Sequence, residues 1–220
     1  KDVRAIIAHW TANTDRGANA MANRNYFSLG LRAASAHYCV DDSTIVQCLP
    51  DREVAYHVGA TKYKPEGKRV MRGYKTPNYT TVGFEMCVNA DGDWSKTYAN
   101  SVQVAAWLLY KNGLNPETDL LRHYDITGKD CPKMMLEEKP WFEFKARVQD
   151  QYNELKSLYV CSVNSESLNV RSGPAATFSV KHELAQKEKV VVFERLENGW
   201  CRIGADEWVN GRFLNVLFKW

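Results

Sequence analysis

After Lys156-Ser157-Leu158 the chain changes character, and that change constrains the fold more than any other feature. Upstream, short apolar runs alternate with helical periodicity. Downstream, brief β-rich pieces follow one another with turn signals between them: Leu168-Asn169-Val170, Ser172-Gly173-Pro174, Val190-Val191-Val192-Phe193, Asn198-Gly199-Trp200, Cys201-Arg202-Ile203 and Trp208-Val209. Alternating strands and helices imply an α/β layer structure for residues 1–157. The remainder, 158–220, reads as a small all-β barrel. The full length of 220 residues accommodates one medium domain and one small one.

In the first part, residues 4–8 read as a strand and about Ala18 to Ser28 as a helix. Ala36–Val40 and Ile45–Leu49 read as two strands around an Asp-Asp-Ser turn. Residues 59–77 carry many charges and no periodicity, which predicts a long loop. Thr81–Val88 is an apolar strand and Ser101–Asn112 a helix stopped by Gly113. Leu120–His123 is a further strand. Trp141, Phe144, Val148, Tyr152 and Leu155 recur at helical spacing and predict a last amphipathic helix.

The net charge of +3 provides no basic face of the kind nucleic acid requires. No apolar run approaches the roughly 20 residues of a membrane span. Neither nucleic acid nor a membrane is therefore an expected partner, and the oligomeric state stays open. The start, Lys1-Asp2-Val3-Arg4, does not read as a secretory leader and lacks an initiator methionine, so it leaves the compartment open. The six cysteines are too widely spread for a disulfide-stapled scaffold. Cys39 and Cys48 flank the predicted hairpin and could face each other, although a bridge is not expected.

Three residues have the chemistry of an open zinc site. His123 and Cys131 stand eight residues apart in Arg122-His123-Tyr124-Asp125-Ile126-Thr127-Gly128-Lys129-Asp130-Cys131-Pro132, a spacing that suits a strand end followed by a loop. His9 ends the apolar run Ala5-Ile6-Ile7-Ala8, as a buried strand does when it delivers a side chain to a cleft. Two imidazoles and a thiolate leave the fourth tetrahedral position free, the pattern of a catalytic rather than a structural zinc. Glu85 lies in the apolar strand Val82–Val88, where a carboxylate is costly to bury without a partner or a task. The bland alternative puts it on the solvent face of the sheet.

The motifs His9-Trp10-Thr11-Ala12, Ser35-Ala36-His37-Tyr38, Tyr56-His57-Val58-Gly59, Val82-Gly83-Phe84-Glu85 and His123 to Pro132 occur in the order found in one family. Over residues 1–157 the chain resembles the zinc-dependent N-acetylmuramoyl-L-alanine amidases of the phage-lysozyme and peptidoglycan-recognition-protein type. The resemblance implies a mixed central β-sheet flanked by helices, with Zn2+ held by His9, His123 and Cys131. It implies a catalytic role for Glu85, and Lys129 as a stabiliser of the transition state. One branch of that family has no such glutamate and uses a tyrosine just before the residue matching His37. Here that position is Ala36, in agreement with the glutamate branch. His37 and His57 are expected to meet substrate or to support the site structurally.

Residues 158–220 resemble the bacterial SH3-like domains that anchor cell-wall hydrolases, through Leu168–Pro174, Asn198–Ile203 and Trp208–Leu214. Glu207 and Phe213 replace a common glycine and tyrosine of that family. Together the resemblances imply a bacteriolytic peptidoglycan hydrolase that cuts between N-acetylmuramic acid and L-alanine. Bacterial peptidoglycan would be the partner of both parts. The setting would be a phage endolysin made in the bacterial cytoplasm or an autolysin exported to the wall. The alternative is a non-catalytic peptidoglycan-binding protein on the same fold. A zinc deaminase would need a His-x-Glu pair and a Pro-Cys-x-x-Cys run, and neither occurs.

Overall fold

The computed structural model describes residues 1–29 and 34–219. It separates into two compact units, Lys1–Tyr152 and Asn153–Trp220. In the first, elements follow in the order β1 (Ala5–Trp10), α1 (Ala20–Ser28), β2 (Tyr38–Val40), β3 (Ile45–Gln47), α2 (Pro65–Met71), β4 (Thr81–Met86), α3 (Trp94–Lys111), α4 (Pro116–Asp119), β5 (Leu120–Arg122), α5 (His123–Thr127) and α6 (Glu138–Ser157). The last of these runs across the boundary into the second unit.

The sheet has the order β3-β2-β4-β1-β5. β1 is buried along nearly its whole length, as a central strand covered on both faces must be. It pairs in parallel with β4 and β5, and β2 pairs in parallel with β4. β3 returns antiparallel to β2, which makes the sheet mixed. The hairpin between them is held by Asp41, whose carboxylate accepts from Ser43 N, Ser43 Oγ and Thr44 N and reaches Ala20 N at the start of α1. In register, His9 pairs with Glu85, and Glu85 with Cys39. Because side chains alternate between faces, these three stand in a row on one face.

Element ends shift from the sequence reading by one or two residues in several places, and three departures are larger or change the element type. The stretch 59–77 contains the helix α2, started by Pro65 and Glu66. It buries only Gly67 and Val70, too few residues to make a periodic stripe. A Cβ on Gly67 would fall 2.8 Å from Ile126 O, so glycine permits the close approach of α2 to α5. α3 starts at Trp94 rather than Ser101, capped by the Asp93 carboxylate on Ser95 N and Lys96 N. β5 ends at Arg122, and His123 opens a helix instead of closing a strand.

The second unit contains β6 (Tyr159–Val163), β7 (Ser167–Arg171), β8 (Val180–Ala185), β9 (Lys189–Val192), β10 (Glu194–Arg195), β11 (Trp200–Gly204), β12 (Glu207–Asn210) and β13 (Leu214–Lys219). They form a five-stranded sheet, β10-β11-β12-β7-β8, and a three-stranded one, β13-β6-β9. Val163, Leu168, Val170, Leu184, Val192 and Val209 from both sheets share one core with Cys161 and Cys201. β8 escapes the sequence reading because it buries only Leu184, leaving no alternation to detect. Among the described residues no helix is long and apolar enough to cross a membrane.

Candidate active site

Three separate local devices bring His9, His123 and Cys131 together. β1 delivers His9, 2% exposed, beside Glu85 of β4. At the end of β5 the Arg122 backbone N–H donates to Asp125 Oδ2, and the Arg122 guanidinium binds the same carboxylate and the Met135 and Leu136 carbonyls. That clamp turns the strand into α5 at His123. α5 then stops at Gly128, whose φ of +84° is the left-handed conformation glycine adopts freely. The chain folds back, and Tyr124 N donates to Cys131 O at 2.9 Å.

His9 Nδ1 lies 3.1 Å from His123 Nδ1 and 3.6 Å from Cys131 Sγ. All three ligand atoms fall within 4.8 Å of one another, and all three residues are buried. Two nitrogens bound to one tetrahedral zinc stand about 3.3 Å apart, and a nitrogen and a sulfur about 3.6 Å. The separations and the donor set both suit that ion. Burial holds His9 well below the usual imidazole range and lowers His123 to about 4, so both are neutral and keep lone pairs for a cation. The Cys131 thiol is pushed up to about 12 by burial and by the nearby Glu85.

The far side of His9 is fixed by a chain of hydrogen bonds. The Thr81 hydroxyl donates to Pro77 O at 2.9 Å, so its oxygen accepts from His57 Nε2 at 3.1 Å. Neutral His57 then accepts at Nδ1 from His9 Nε2, 2.9 Å away. With its proton on Nε2, His9 has a free lone pair on Nδ1, facing His123 and Cys131. Gly83 gives His57 its room: a Cβ there would sit 2.4 Å from His57 Nδ1.

His57 is thus largely buried beside His9, with both ring nitrogens occupied. His37 is fully buried as well. Its Nδ1 accepts from Gly83 N, its backbone N–H donates to Gly83 O, and its Nε2 lies 3.0 Å from Lys1 Nζ. Both rings are thus buried and held by protein partners. Motif order alone does not distinguish a ring lining a cleft from one packed beneath it.

Glu85 is partly accessible, yet its Oε2 is buried with no protein hydrogen-bond partner. Burial pushes its carboxyl up to about 8, against the pull of the Lys129 charge. The Thr11 hydroxyl is also buried and unpartnered, one residue beyond the end of β1, where Thr11 N donates to Met86 O. Two orphaned oxygens at the ends of adjacent strands mark a place built to receive something polar. Lys129 is exposed on the loop before Cys131, its backbone N–H bonded to Thr127 Oγ1. Thr81, Gly83, Arg122 and Asp125 escape sequence reasoning. Of these only Gly83 carries a local signal, a glycine inside a bulky strand that calls for close approach.

Comparison with known proteins matches residues 1–134 to the N-acetylmuramoyl-L-alanine amidase family and residues 166–215 to the bacterial SH3 domain. The N-acetylmuramoyl-L-alanine amidase BlyA of Bacillus subtilis is 35% identical over 160 residues, covering 70% of this chain and 41% of BlyA. The amidase XlyA of the same organism is 33% identical over 143 residues, covering 65% of this chain and 43% of XlyA. The chain therefore spans less than half the length of these relatives. The solved catalytic domain of XlyA superposes with a TM-score of 0.56 at 32% identity, covering 66% of this chain and 86% of that one. PlyL superposes with a TM-score of 0.54 at 26% identity, covering 67% and 84%.

Proposed function

The chain belongs to the N-acetylmuramoyl-L-alanine amidase family, and from that premise we propose that it hydrolyses the amide joining the lactyl group of N-acetylmuramic acid to L-alanine in bacterial peptidoglycan. The observation that carries this reading is the buried His9–His123–Cys131 cluster, with the unpartnered Glu85 oxygen on the neighbouring strand.

His9 Nδ1, His123 Nδ1 and Cys131 Sγ would hold Zn2+. When bound, zinc polarises a carbonyl and makes a water more acidic. Glu85 acts as general base, taking a proton from the attacking water as its oxygen bonds to the lactyl carbonyl carbon. The same carboxyl then delivers that proton to the L-alanine nitrogen as the C–N bond breaks. The raised affinity of a buried Glu85 for a proton suits both halves of that transfer. Lys129 supplies positive charge opposite the oxygen that gains negative charge in the transition state.

His57 and Thr81 act through His9 as positioning residues, keeping its tautomer and ring angle fixed. His37 braces β4 at Gly83, two residues from Glu85. The second unit, by its likeness to bacterial SH3 domains, would hold the enzyme to the wall. A binding-only role leaves the thiol of Cys131 beside two neutral imidazoles without a purpose.

Digestion of purified peptidoglycan, followed by mass spectrometry of the new ends, tests the reading. Free L-alanine amino termini on the stem peptides, with the glycan strands intact, lost with a chelator and restored by zinc, are expected. New reducing sugar ends would refute the bond assignment, and binding without any new ends would refute catalysis.

A further inference from the structure

Besides Cys131, the first unit has three other cysteines, and two of them face each other across the hairpin. Cys39 of β2 pairs with Val46, and Cys48 lies two residues beyond Val46, on the same face and diagonal to Cys39. Their sulfurs are 3.6 Å apart, and both are free thiols. A disulfide needs about 2.05 Å, so the sulfurs must close by about 1.5 Å. The hairpin can give that much. β3 is a three-residue edge strand, and among the described residues it pairs only with β2. The surroundings are apolar, formed by Ala20, Val46 and Phe27. The third thiol, Cys87, is occupied by Asn23 Nδ2 at 3.6 Å.

Access is unequal within the pair. Cys39 is fully buried, while Cys48 is partly exposed and open to a small reagent. The two thiols share a hydrogen bond, and the Arg24 charge favours the Cys48 thiolate, although burial opposes ionisation of both. The nucleophile is thus at the surface and the resolving thiol behind it.

We propose that Cys39 and Cys48 form a reversible dithiol–disulfide modification site, oxidised by a small disulfide of the glutathione class. The Cys48 thiolate attacks one sulfur of the oxidant. The oxidant's S–S bond breaks, and one glutathione leaves as a thiolate. Cys39 loses its proton to solvent and attacks the Cys48 sulfur of the mixed disulfide, releasing the second glutathione. The protein gives up two electrons and two protons, and the oxidant becomes two thiols. The new bond ties edge strand β3 to β2, whose Cys39 pairs with Glu85. The pair therefore couples the redox state of the surroundings to the strand beside the proposed general base.

The test equilibrates the full chain in glutathione buffers from reducing to oxidising. Acid quenching, alkylation under denaturing conditions, intact mass and peptide mapping follow. Oxidising buffer should yield a species two hydrogens lighter with a Cys39–Cys48 linked peptide, reversed by dithiothreitol and absent in Cys48→Ser. Cys39→Ser should instead retain one glutathione on Cys48. Wild-type mapping decides without either variant. Both cysteines alkylated at the most oxidising poise, a link to a different partner such as Cys87, or a glutathione left unresolved on Cys48 would each overturn the proposal. Since mass is the readout, the result is independent of the hydrolase reading.

Discussion

In the second unit the large buried side chains are apolar, from Val163 through Leu184 to Val209, whereas the first unit buries His9, His37, Asp41, His57, Arg122 and His123 among its aliphatic strands. An apolar core is stabilised by removal of surface from water, at about 25 cal/mol per Å2. A buried polar group adds nothing of that kind and costs free energy unless its hydrogen bonds are made. The first unit meets this requirement almost everywhere: Asp41 in its hairpin, Arg122 against Asp125, His57 between His9 and Thr81. Among the described residues the bonding stays incomplete at Arg4 Nε, before β1, and at Glu85 Oε2 and the Thr11 hydroxyl, toward the strand ends that carry the ligand cluster. The difference separates a unit built for stability from one that accepts unfavourable groups for chemistry.

The comparison is broken most severely at Cys131. Cys131→Ala should abolish tight zinc binding and reduce hydrolysis to background, measured by metal content and by release of L-alanine termini. Because the substitution removes a single sulfur atom from the side chain, the metal-free fold should persist by circular dichroism. The opposite pattern is expected at Leu168→Ala, which removes a core side chain 4% exposed. It should destabilise the second unit by about 2–5 kcal/mol and weaken retention on cell walls. Hydrolysis of a soluble muropeptide should stay at the wild-type rate, since the ligand cluster lies in the first unit.

Thr81→Val keeps the shape of the side chain but removes the acceptor of the His57 Nε2 proton. Zinc affinity should fall about 10–100-fold with little change in melting temperature. Equal affinity would show that the bonds behind His9 are packing alone. The smallest effect belongs to Asp41→Asn. Burial opposes ionisation of Asp41, but donors from Ala20, Ser43 and Thr44 outweigh it and hold its pKa below the ordinary range. The carboxylate therefore adds stability that is fully present above about pH 4 and is lost as pH falls through the lower native pKa. Acid-unfolding curves of wild type and variant should differ by about 1–3 kcal/mol at neutral pH and converge in acid.

Much of this was legible beforehand. β1 and β4 are visible as apolar runs, and α6 as a periodic stripe. The three donors stand out by residue type, although β1 runs one residue past His9 and His123 opens α5 where the sequence suggests a strand end. α2 and β8 bury too little to leave a pattern, and the first two turns of α3 are polar except for Trp94, Tyr98 and Ala99. The positions of His37 and His57 depend on contacts made across the sheet with Gly83 and Thr81, which no local window contains. Motif order marks such residues as belonging to a site without telling which side of it they occupy.

The central claim is that His9, His123 and Cys131 hold a metal while Glu85 on the neighbouring strand moves a proton. Glu85→Gln tests it most directly, with zinc content and peptidoglycan hydrolysis measured on the same preparation. The account predicts one zinc per chain, as in wild type, with hydrolysis lowered about 10²–10⁴-fold. A variant that hydrolyses at the wild-type rate, or one that loses zinc together with activity, would contradict it.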